Sequence, residues 1–279
     1  LKRLVLKLTE WLACFLAHKV IAVSPSVAQA VVKEGMCAQA KISVLANGSA
    51  NGVDAKNRFN PKLIESSVRT RLRQQYRIPD DAVVLGFVGR LVKDKGIVEL
   101  VDAWRIISAK HSNLHLVVVG GFESGDPVPE GVRKVLETGE RIHLTGRVSN
   151  MPEVYRMIDV LLLPTYREGL PNVLLEAAAM EKPVVPTRVT GCVDAVLDGI
   201  TGLLVPARDA GALAEAALTY IENPELRLNH GRAGRKWVLK QFVPEIIWDE
   251  LRKEYDRLVS ERVNRAIVLG GDKVTYRRR

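Results

Sequence analysis

Two basic residues stand where a loop of this chain could bind phosphate. An apolar stretch over residues 82–88 ends at Gly89, which permits a tight turn. Arg90 and Lys95 follow on a short loop that leads into a predicted helix. Two cations beside a helix N-terminus make a site for a diphosphate. A solvated basic loop remains the alternative, because exposed lysine and arginine are the default in proteins.

Two carboxylates frame a second predicted helix, which runs from Pro171 to Met180. Glu168 precedes it, and Glu176 lies about 7 Å along its axis from the first residue. Carboxylates at these two depths can accept hydrogen bonds from the hydroxyl groups of an extended polar ligand. The alternative is a capping Glu168 and a surface Glu176. Leucine and alanine surround Glu176, and an unpaired carboxylate is costly there, which favours a functional role.

The elements that must position these side chains alternate regularly. Apolar strands between helices predict a parallel sheet covered on both faces, and right-handed crossovers make it a doubly wound, Rossmann-like α/β domain over residues 81–245. Such sheets bind ligands at the carboxyl ends of their strands, where both pairs of charged residues lie. Paired cations and carboxylates there suit a nucleotide sugar. The predicted strands are 82–88, 114–119, 142–144, 160–163, 183–185 and 202–205.

The first part of the chain predicts a smaller helix–strand–helix–strand unit. Residues 1–18 predict an amphipathic helix, for which packing on a core is favoured over lying on a membrane surface. Strands are predicted at 20–23 and 41–45, and a helix at 25–35. A loop rich in glycine and asparagine follows at 46–54 and predicts a linker.

Composition bounds the class of protein. The chain has 279 residues, of which 47% are hydrophobic and 26% charged, which is typical of a globular protein. A net charge of +9 favours an acidic partner, without choosing among nucleic acid, anionic membrane and phosphorylated substrates. Three widely spaced cysteines predict no disulfide framework and no zinc site, which favours a cytoplasmic setting. No apolar run approaches the ~18 residues of a membrane span.

Three motifs in order resemble glycosyltransferase family 4. They are the segment 87–96 with Arg90 and Lys95, the pair Glu168 and Glu176, and the segment Asp198-Gly199-x-Thr201-Gly202-x-Leu204-Val205. The resemblance covers residues ~20 to 260. It implies retaining enzymes of the GT-B fold. The fold class is then α/β of GT-B type, with one doubly wound Rossmann-like domain and part of a second.

The resemblance also implies roles for single residues. Arg90 and Lys95 would hold the donor diphosphate and stabilise the leaving group, and Glu168 would bind hydroxyls of the donor sugar; these three are the expected catalytic residues. Glu176 would bind the ribose. The other expected donor-binding residues are Gly89, Arg147 and Val148 beside the base, and Gly169, Leu170, Asn172 and Val173 with their backbone N–H groups.

No cofactor or metal is expected. The family neutralises the leaving diphosphate with side chains and a helix terminus. The sequence has no Asp-x-Asp motif, and its five histidines are scattered without ligand spacing. His143, on an apolar strand, is interpreted as a core or lining residue rather than a base.

One departure from the family pattern points to a branch of it. Residues 190–194 read Thr-Gly-Cys-Val-Asp where many members have Gly-Gly-x-Pro-Glu. Together with the segment 47–54, this resembles enzymes of capsule, exopolysaccharide or lipid-linked oligosaccharide assembly. Those enzymes imply a UDP-linked hexose or N-acetylhexosamine as donor and a glycan or polyprenyl-diphosphate acceptor. They also imply a cytoplasmic protein, with peripheral contact at the inner membrane face as an option.

A second departure concerns the acceptor side. The family has a further N-terminal Rossmann-like domain, and the chain begins with leucine, so a truncated donor-binding half is expected. It would bind nucleotide and transfer little alone, since an acceptor must be held against the donor. The predicted division is a remnant at 1–46, a linker and basic helix at 47–80, the donor domain at 81–245, a crossover helix at 246–265, and a tail at 266–279.

Three other functions are weighed against transfer. A nucleotide-sugar epimerase of the same fold needs an acid/base set that is not found in the sequence. A non-catalytic remnant that binds nucleotide sugar or a partner fits the expected absence of the acceptor domain. Nucleic-acid binding ranks last, because aromatic residues make up only 5% and no recognition motif is present.

Overall fold

A computed structural model describes residues 2–49 and 51–268. The tail 273–279, for which the sequence predicts disorder, lies outside these residues. Two parallel sheets organise the chain, one of two strands and one of five.

The smaller sheet belongs to the first part of the chain. Strands β1 (Val20–Ala22) and β2 (Ile42–Val44) pair in parallel. They are connected through helix α2 (Pro25–Lys33), which begins at a serine cap followed by proline, as its sequence predicts. Helix α1 (Lys2–Leu16) precedes them. The predicted helix–strand–helix–strand order is therefore confirmed.

The larger sheet is wholly parallel, with the strand order β5-β4-β3-β6-β7. Its central strands are buried along almost their whole length, which is why their sequences are continuously apolar. This confirms the predicted doubly wound sheet. The strands are β3 (Val83–Val88), β4 (Leu114–Val119), β5 (Ile142–Gly146), β6 (Val160–Leu163) and β7 (Val184–Pro186).

Helices cover both faces of this sheet. The chain moves one way from β3 to β5 and the other way from β6 to β7, so right-handed crossovers put the connecting helices on opposite faces. Helix α4 packs with α5 and α9, α3 with α6, and α7 with α10. The helices are α3 (Ser66–Gln75), α4 (Ile97–Lys110), α5 (Glu130–Thr138), α6 (Met151–Met157), α7 (Asn172–Ala179), α8 (Cys192–Ala195), α9 (Ala210–Glu222), α10 (Pro224–Gln241) and α11 (Pro244–Val268).

The segment predicted as a linker packs into the core of the larger sheet. Val53, Ala55 and Phe59 are buried in that core. The Val53 backbone N–H donates to the carbonyl of Phe242 at 2.7 Å, so this segment lies beside the end of α10. The domain boundaries stay a prediction, but this segment is an ordered part of the fold.

The predicted strand at 202–205 is wrong as a regular strand. Isolated bridges pair Gly202 with Val184 and Val205 with Thr187. The backbone N–H groups of Leu203 and Val205 donate to the carbonyls of Val184 and Pro186 at 3.0 and 3.1 Å. Between them, the backbone N–H of Leu204 donates to the Asp198 carboxylate at 2.9 Å. The segment thus runs parallel to β7 and bonds to it without forming a regular strand.

The expectation that α1 packs on a core is also wrong for the described residues. Its apolar side chains are 43–69% exposed, and only Cys14 packs against the small core around Ala22 and Ile42. Trp11 and Phe15 stack on each other at the surface. Within the described part of the chain, none of the helices is long and apolar enough to cross a membrane.

Two histidines on adjacent strands contact each other at the edge of the main core. His115 Nδ1 and His143 Nε2 are 2.9 Å apart, and His115 is 8% exposed. Burial, together with the nearby His143, Arg141 and Arg73, lowers the pKa of His115 to about 4. His143 therefore lies at the core edge, in keeping with its interpretation as a core or lining residue.

We expect this histidine to destabilise the protein in acid. In the unfolded chain His115 takes up a proton near pH 6.5, whereas in the folded chain it does so only near pH 4. The free energy of unfolding is therefore unaffected by this histidine above pH 6.5 and decreases as the pH falls from 6.5 toward 4. Between pH 7 and pH 4.5, the free energy of unfolding should fall by about 2 kcal/mol more in the parent than in His115→Gln. Urea unfolding at pH 7 and 4.5 measures it. The control His111→Gln, at a more exposed position beside Glu222, should behave like the parent.

Candidate functional site

The sheet reverses its strand order between β3 and β6, and two loops meet there. At such a switch point the loops diverge and leave a crevice at the carboxyl ends of the strands. A cavity of about 300 Å³ opens at this place. Seven of the residues predicted to bind the donor line it: Gly89, Arg90, Lys95, Glu168, Leu170, Asn172 and Val173.

An ion pair joins the two loops across the cavity. Lys95 Nζ lies 2.5 Å from Glu168 Oε1, and the two side chains are only 16% and 14% exposed. The sequence predicts separate roles for these groups, with Lys95 on phosphate and Glu168 on sugar. The structure places them in direct contact, so each fixes the position of the other.

Backbone contacts hold the lysine loop against the glutamate loop. Gly96 has a φ of 71°, and a Cβ there would lie 1.9 Å from the carbonyl oxygen of Pro164, so only glycine fits. The Tyr166 backbone N–H donates to the carbonyl of Asp94 at 2.8 Å. The Asp94 carboxylate also accepts from the Arg167 guanidinium at 3.2 Å. These contacts position Lys95 beside Glu168.

Helix α7 presents its first turn to the cavity. The sequence predicts Pro171 as its first residue, but the helix begins at Asn172, because Pro171 keeps an extended backbone with ψ of 104°. The N–H groups of a first turn have no partners inside the helix. Asn172 and Val173, the first two residues of this helix, line the cavity. The N-terminus of α7 therefore offers free backbone N–H groups to an anion in the cavity.

A third carboxylate, missed by the sequence reasoning, connects two predicted donor-binding arginines. Glu123 Oε2 accepts from Arg90 Nη1 at 3.1 Å, and Glu123 Oε1 lies 3.6 Å from Arg147 Nη2. The arginines are 58% and 82% exposed, so they can reorient toward a ligand. Glu123 follows the end of β4, which is the signal that could have identified it.

Glu176 is held by a buried tyrosine rather than lying free at the surface. The Tyr155 hydroxyl donates to Glu176 Oε2 at 2.9 Å. Burial raises the pKa of Glu176, against the opposing effects of the Tyr155 hydrogen bond and of Arg58. Burial and the adjacent Glu176 raise the pKa of Tyr155, so its hydroxyl stays protonated as a donor. Tyr155 was not singled out from the sequence, because it lies on a different helix.

Four predicted donor-binding residues lie outside the lining of this cavity: Arg147, Val148, Gly169 and Glu176. Val148 is half-buried against the main core. Gly169 faces Val23 of the smaller sheet unit. Among the described residues, no group of three or more histidine, cysteine, aspartate or glutamate side chains could hold a metal ion.

Curated relatives match this chain along most of its length. The capsular polysaccharide biosynthesis glycosyltransferase CapM of Staphylococcus aureus is 36% identical over 261 residues, which are 93% of this chain and 67% of CapM. The N,N'-diacetylbacillosaminyl-diphospho-undecaprenol alpha-1,3-N-acetylgalactosaminyltransferase of Campylobacter jejuni is 28% identical over 243 residues, 87% of this chain and 61% of that protein. The chain thus spans about two thirds or less of these relatives.

Solved structures show the same fold. Anabaena HepE in complex with UDP-glucose superposes with a TM-score of 0.78 at 22% identity, over 90% of this chain and 68% of HepE. Sucrose-phosphate synthase from Thermosynechococcus elongatus gives a TM-score of 0.77 at 27% identity, over 91% of this chain and 62% of that one. These are GT-B glycosyltransferases, which confirms the predicted fold class.

The family assignment rests on the segment that carries the site. Residues 68–237 match the family described as "Glycosyl transferases group 1". That segment includes the whole five-stranded sheet, the Lys95–Glu168 pair and helix α7. With its curated relatives, it shows that this chain belongs to the group 1 glycosyltransferases and is similar to those of capsule biosynthesis.

Proposed function

We propose that this chain is the donor-binding part of a retaining glycosyltransferase that uses a UDP-linked hexose or N-acetylhexosamine. The observation that carries the proposal is the sheltered Lys95–Glu168 ion pair beside the cavity at the switch point of the sheet. In this pair, Lys95 can bind the phosphate and Glu168 can bind the sugar hydroxyls of one donor molecule.

The diphosphate would lie between the lysine loop and the first turn of α7. Arg90 and Lys95 supply two positive charges, and Asn172 and Val173 supply backbone N–H groups at the cavity wall. Fixed charges aimed at the leaving diphosphate stabilise the negative charge that develops during transfer. The proposal includes transfer without a metal ion, which the resemblance and these cations support.

The nucleoside would extend toward Glu176 on α7. Tyr155 orients the Glu176 carboxylate, which can then accept hydrogen bonds from ribose hydroxyls. Arg147 and Val148, after β5, are proposed to flank the base. The choice of UDP is supported by HepE, whose solved structures are in complex with UDP, UDP-glucose, or UDP and glucose.

The acceptor is proposed to be a glycan carried on a polyprenyl diphosphate. The name of the Campylobacter relative describes transfer of N-acetylgalactosamine to a sugar on diphospho-undecaprenol, and CapM is named for capsule biosynthesis. A net charge of +9 suits an acceptor with a diphosphate in an anionic membrane. We therefore propose a cytoplasmic protein with peripheral contact at the inner membrane face.

Nucleotide binding tests the proposal directly. We expect calorimetry to show that the chain binds UDP more tightly than GDP. The double variant Arg90→Ala/Glu176→Ala should weaken UDP binding by about 100-fold, since two hydrogen-bonded charged groups are lost.

The matched control removes another arginine and another glutamate. Arg133 and Glu137 form an exposed ion pair on α5, and the double variant Arg133→Ala/Glu137→Ala should bind UDP like the parent. A folded chain that binds neither nucleotide would contradict the proposal. It would favour the non-catalytic, partner-binding alternative.

A further inference from the structure

A serine of the smaller sheet unit bonds to the loop behind the candidate site. Ser26, in the first turn of α2, donates its hydroxyl to Asp194 Oδ2 and its backbone N–H to the same oxygen at 3.1 Å. The same hydroxyl accepts the backbone N–H of Gly191 at 2.8 Å. One side chain thus joins both ends of a short segment that lies 165–168 positions away in sequence.

The segment 191–194 lies in close contact with the backbone at Glu168 and Gly169. Gly191 has a φ of 80°, and a Cβ there would lie 2.3 Å from the Gly169 carbonyl oxygen and 3.0 Å from that of Glu168. Gly191 is thus in direct contact with the glutamate loop, and a displacement of Gly191 would be transmitted to that loop. Because Glu168 pairs with Lys95, the displacement would reach the candidate catalytic pair.

Cys192 of this segment and the adjacent Ala195 are buried in the main core, but the segment's own helical structure is short. Helix α8 has only four residues, and Gly191 caps it with no side chain. One turn of helix is not stable alone, since nucleation costs more than the first bonds return. Ser26 supplies the partner for the Gly191 N–H and for the Asp194 carboxylate, so α2 helps to position this segment in addition to its core contacts.

A second contact from the same unit reaches the glutamate loop directly. A Cβ on Gly169 would lie 3.1 Å from Val23 Cγ2, so the end of β1 packs against this glycine. Val23 therefore contacts the glutamate loop directly, and Gly191 contacts the same loop.

We propose that Ser26 and Asp194 form a latch that positions the Glu168–Gly169 loop for the donor. Ser26 is a positioning residue: it acts through Gly191 and touches neither the cavity nor the Lys95–Glu168 pair. This inference rests on the proposed nucleotide-sugar site. It adds that the smaller sheet unit controls donor affinity through one hydroxyl group.

Three variants of the full 279-residue chain test the latch. Ser26→Ala removes the hydroxyl, and Ser26→Thr retains one. The matched control is Ser67→Ala, because Ser67 is also the second residue of a helix and its hydroxyl also donates to a carboxylate, that of Glu65 at 3.1 Å. UDP affinity is measured by calorimetry, and backbone N–H protection by hydrogen exchange without nucleotide.

We expect Ser26→Ala to weaken UDP binding by about five- to tenfold and to speed exchange in residues 165–171 and 188–195. Ser26→Thr should restore most of both, and Ser67→Ala should match the parent. Unchanged loop exchange in Ser26→Ala would overturn the latch, as would faster exchange confined to residues 20–44. If the parent binds no UDP, the proposed function fails, while the exchange data still decide for or against the latch.

Discussion

Replacing Lys95 by alanine should weaken UDP binding by about 10- to 100-fold, the largest single-residue effect on function expected in this protein. The variant loses a cation that faces the cavity and also leaves Glu168 without its partner. An unpaired carboxylate beside the diphosphate repels it, so both changes act in the same direction. Calorimetric titration with UDP measures the combined loss.

The repulsive part of this effect can be separated. In the background of Lys95→Ala, the further change Glu168→Gln removes the unpaired charge and should restore about tenfold of the lost affinity. Lys93→Ala is the matched control, because Lys93 belongs to the same turn but is exposed. If Lys93→Ala weakens binding as much as Lys95→Ala, general electrostatic attraction explains the effect and the specific site is refuted.

The largest expected effect on stability comes from Arg73, a fully buried arginine on α3. Its guanidinium donates to the carbonyls of Pro79, Asp80 and Ala82 at 2.8–3.0 Å. It also pairs with Asp159 at 2.9 Å. Arg73→Ala leaves these acceptors buried without their donor and should lower the free energy of unfolding by about 3–5 kcal/mol.

The aspartate partner shows why the loss is large. Burial acts to raise the pKa of Asp159, but Arg69, Lys182 and Arg73, with the backbone N–H of Val84, hold it below its ordinary value. The carboxylate thus stays charged inside the fold, and part of that support disappears in the variant.

The control lies two residues away on the same helix. Arg71 is 61% exposed and pairs with Glu153 at 2.8 Å, so Arg71→Ala should cost less than about 1 kcal/mol. Urea unfolding of both variants gives the comparison. Equal losses for the two arginines would show that the buried network contributes no more than a surface ion pair.

The sequence alone predicted the doubly wound sheet and the edge of it at which the candidate site lies. Continuous apolar runs bounded by turn residues are typical of strands buried on both faces, and the β3 and β4 boundaries were predicted within one residue. Because parallel strands end at one edge, the loops with Lys95 and Glu168 were expected to lie at that edge. These features follow from the pattern of apolar residues along the sequence and from the right-handed crossovers between parallel strands.

The tertiary structure decided which distant side chains hold these groups in place. Glu123, Tyr155 and Ser26 come from separate elements, and no spacing in the sequence relates them to Arg90, Glu176 or Gly191. The exposed apolar face of α1 was likewise beyond prediction, because periodicity shows that a face is apolar but not what covers it. Which distant side chains contact each other depends on how the elements pack in three dimensions, and only the folded chain specifies this packing.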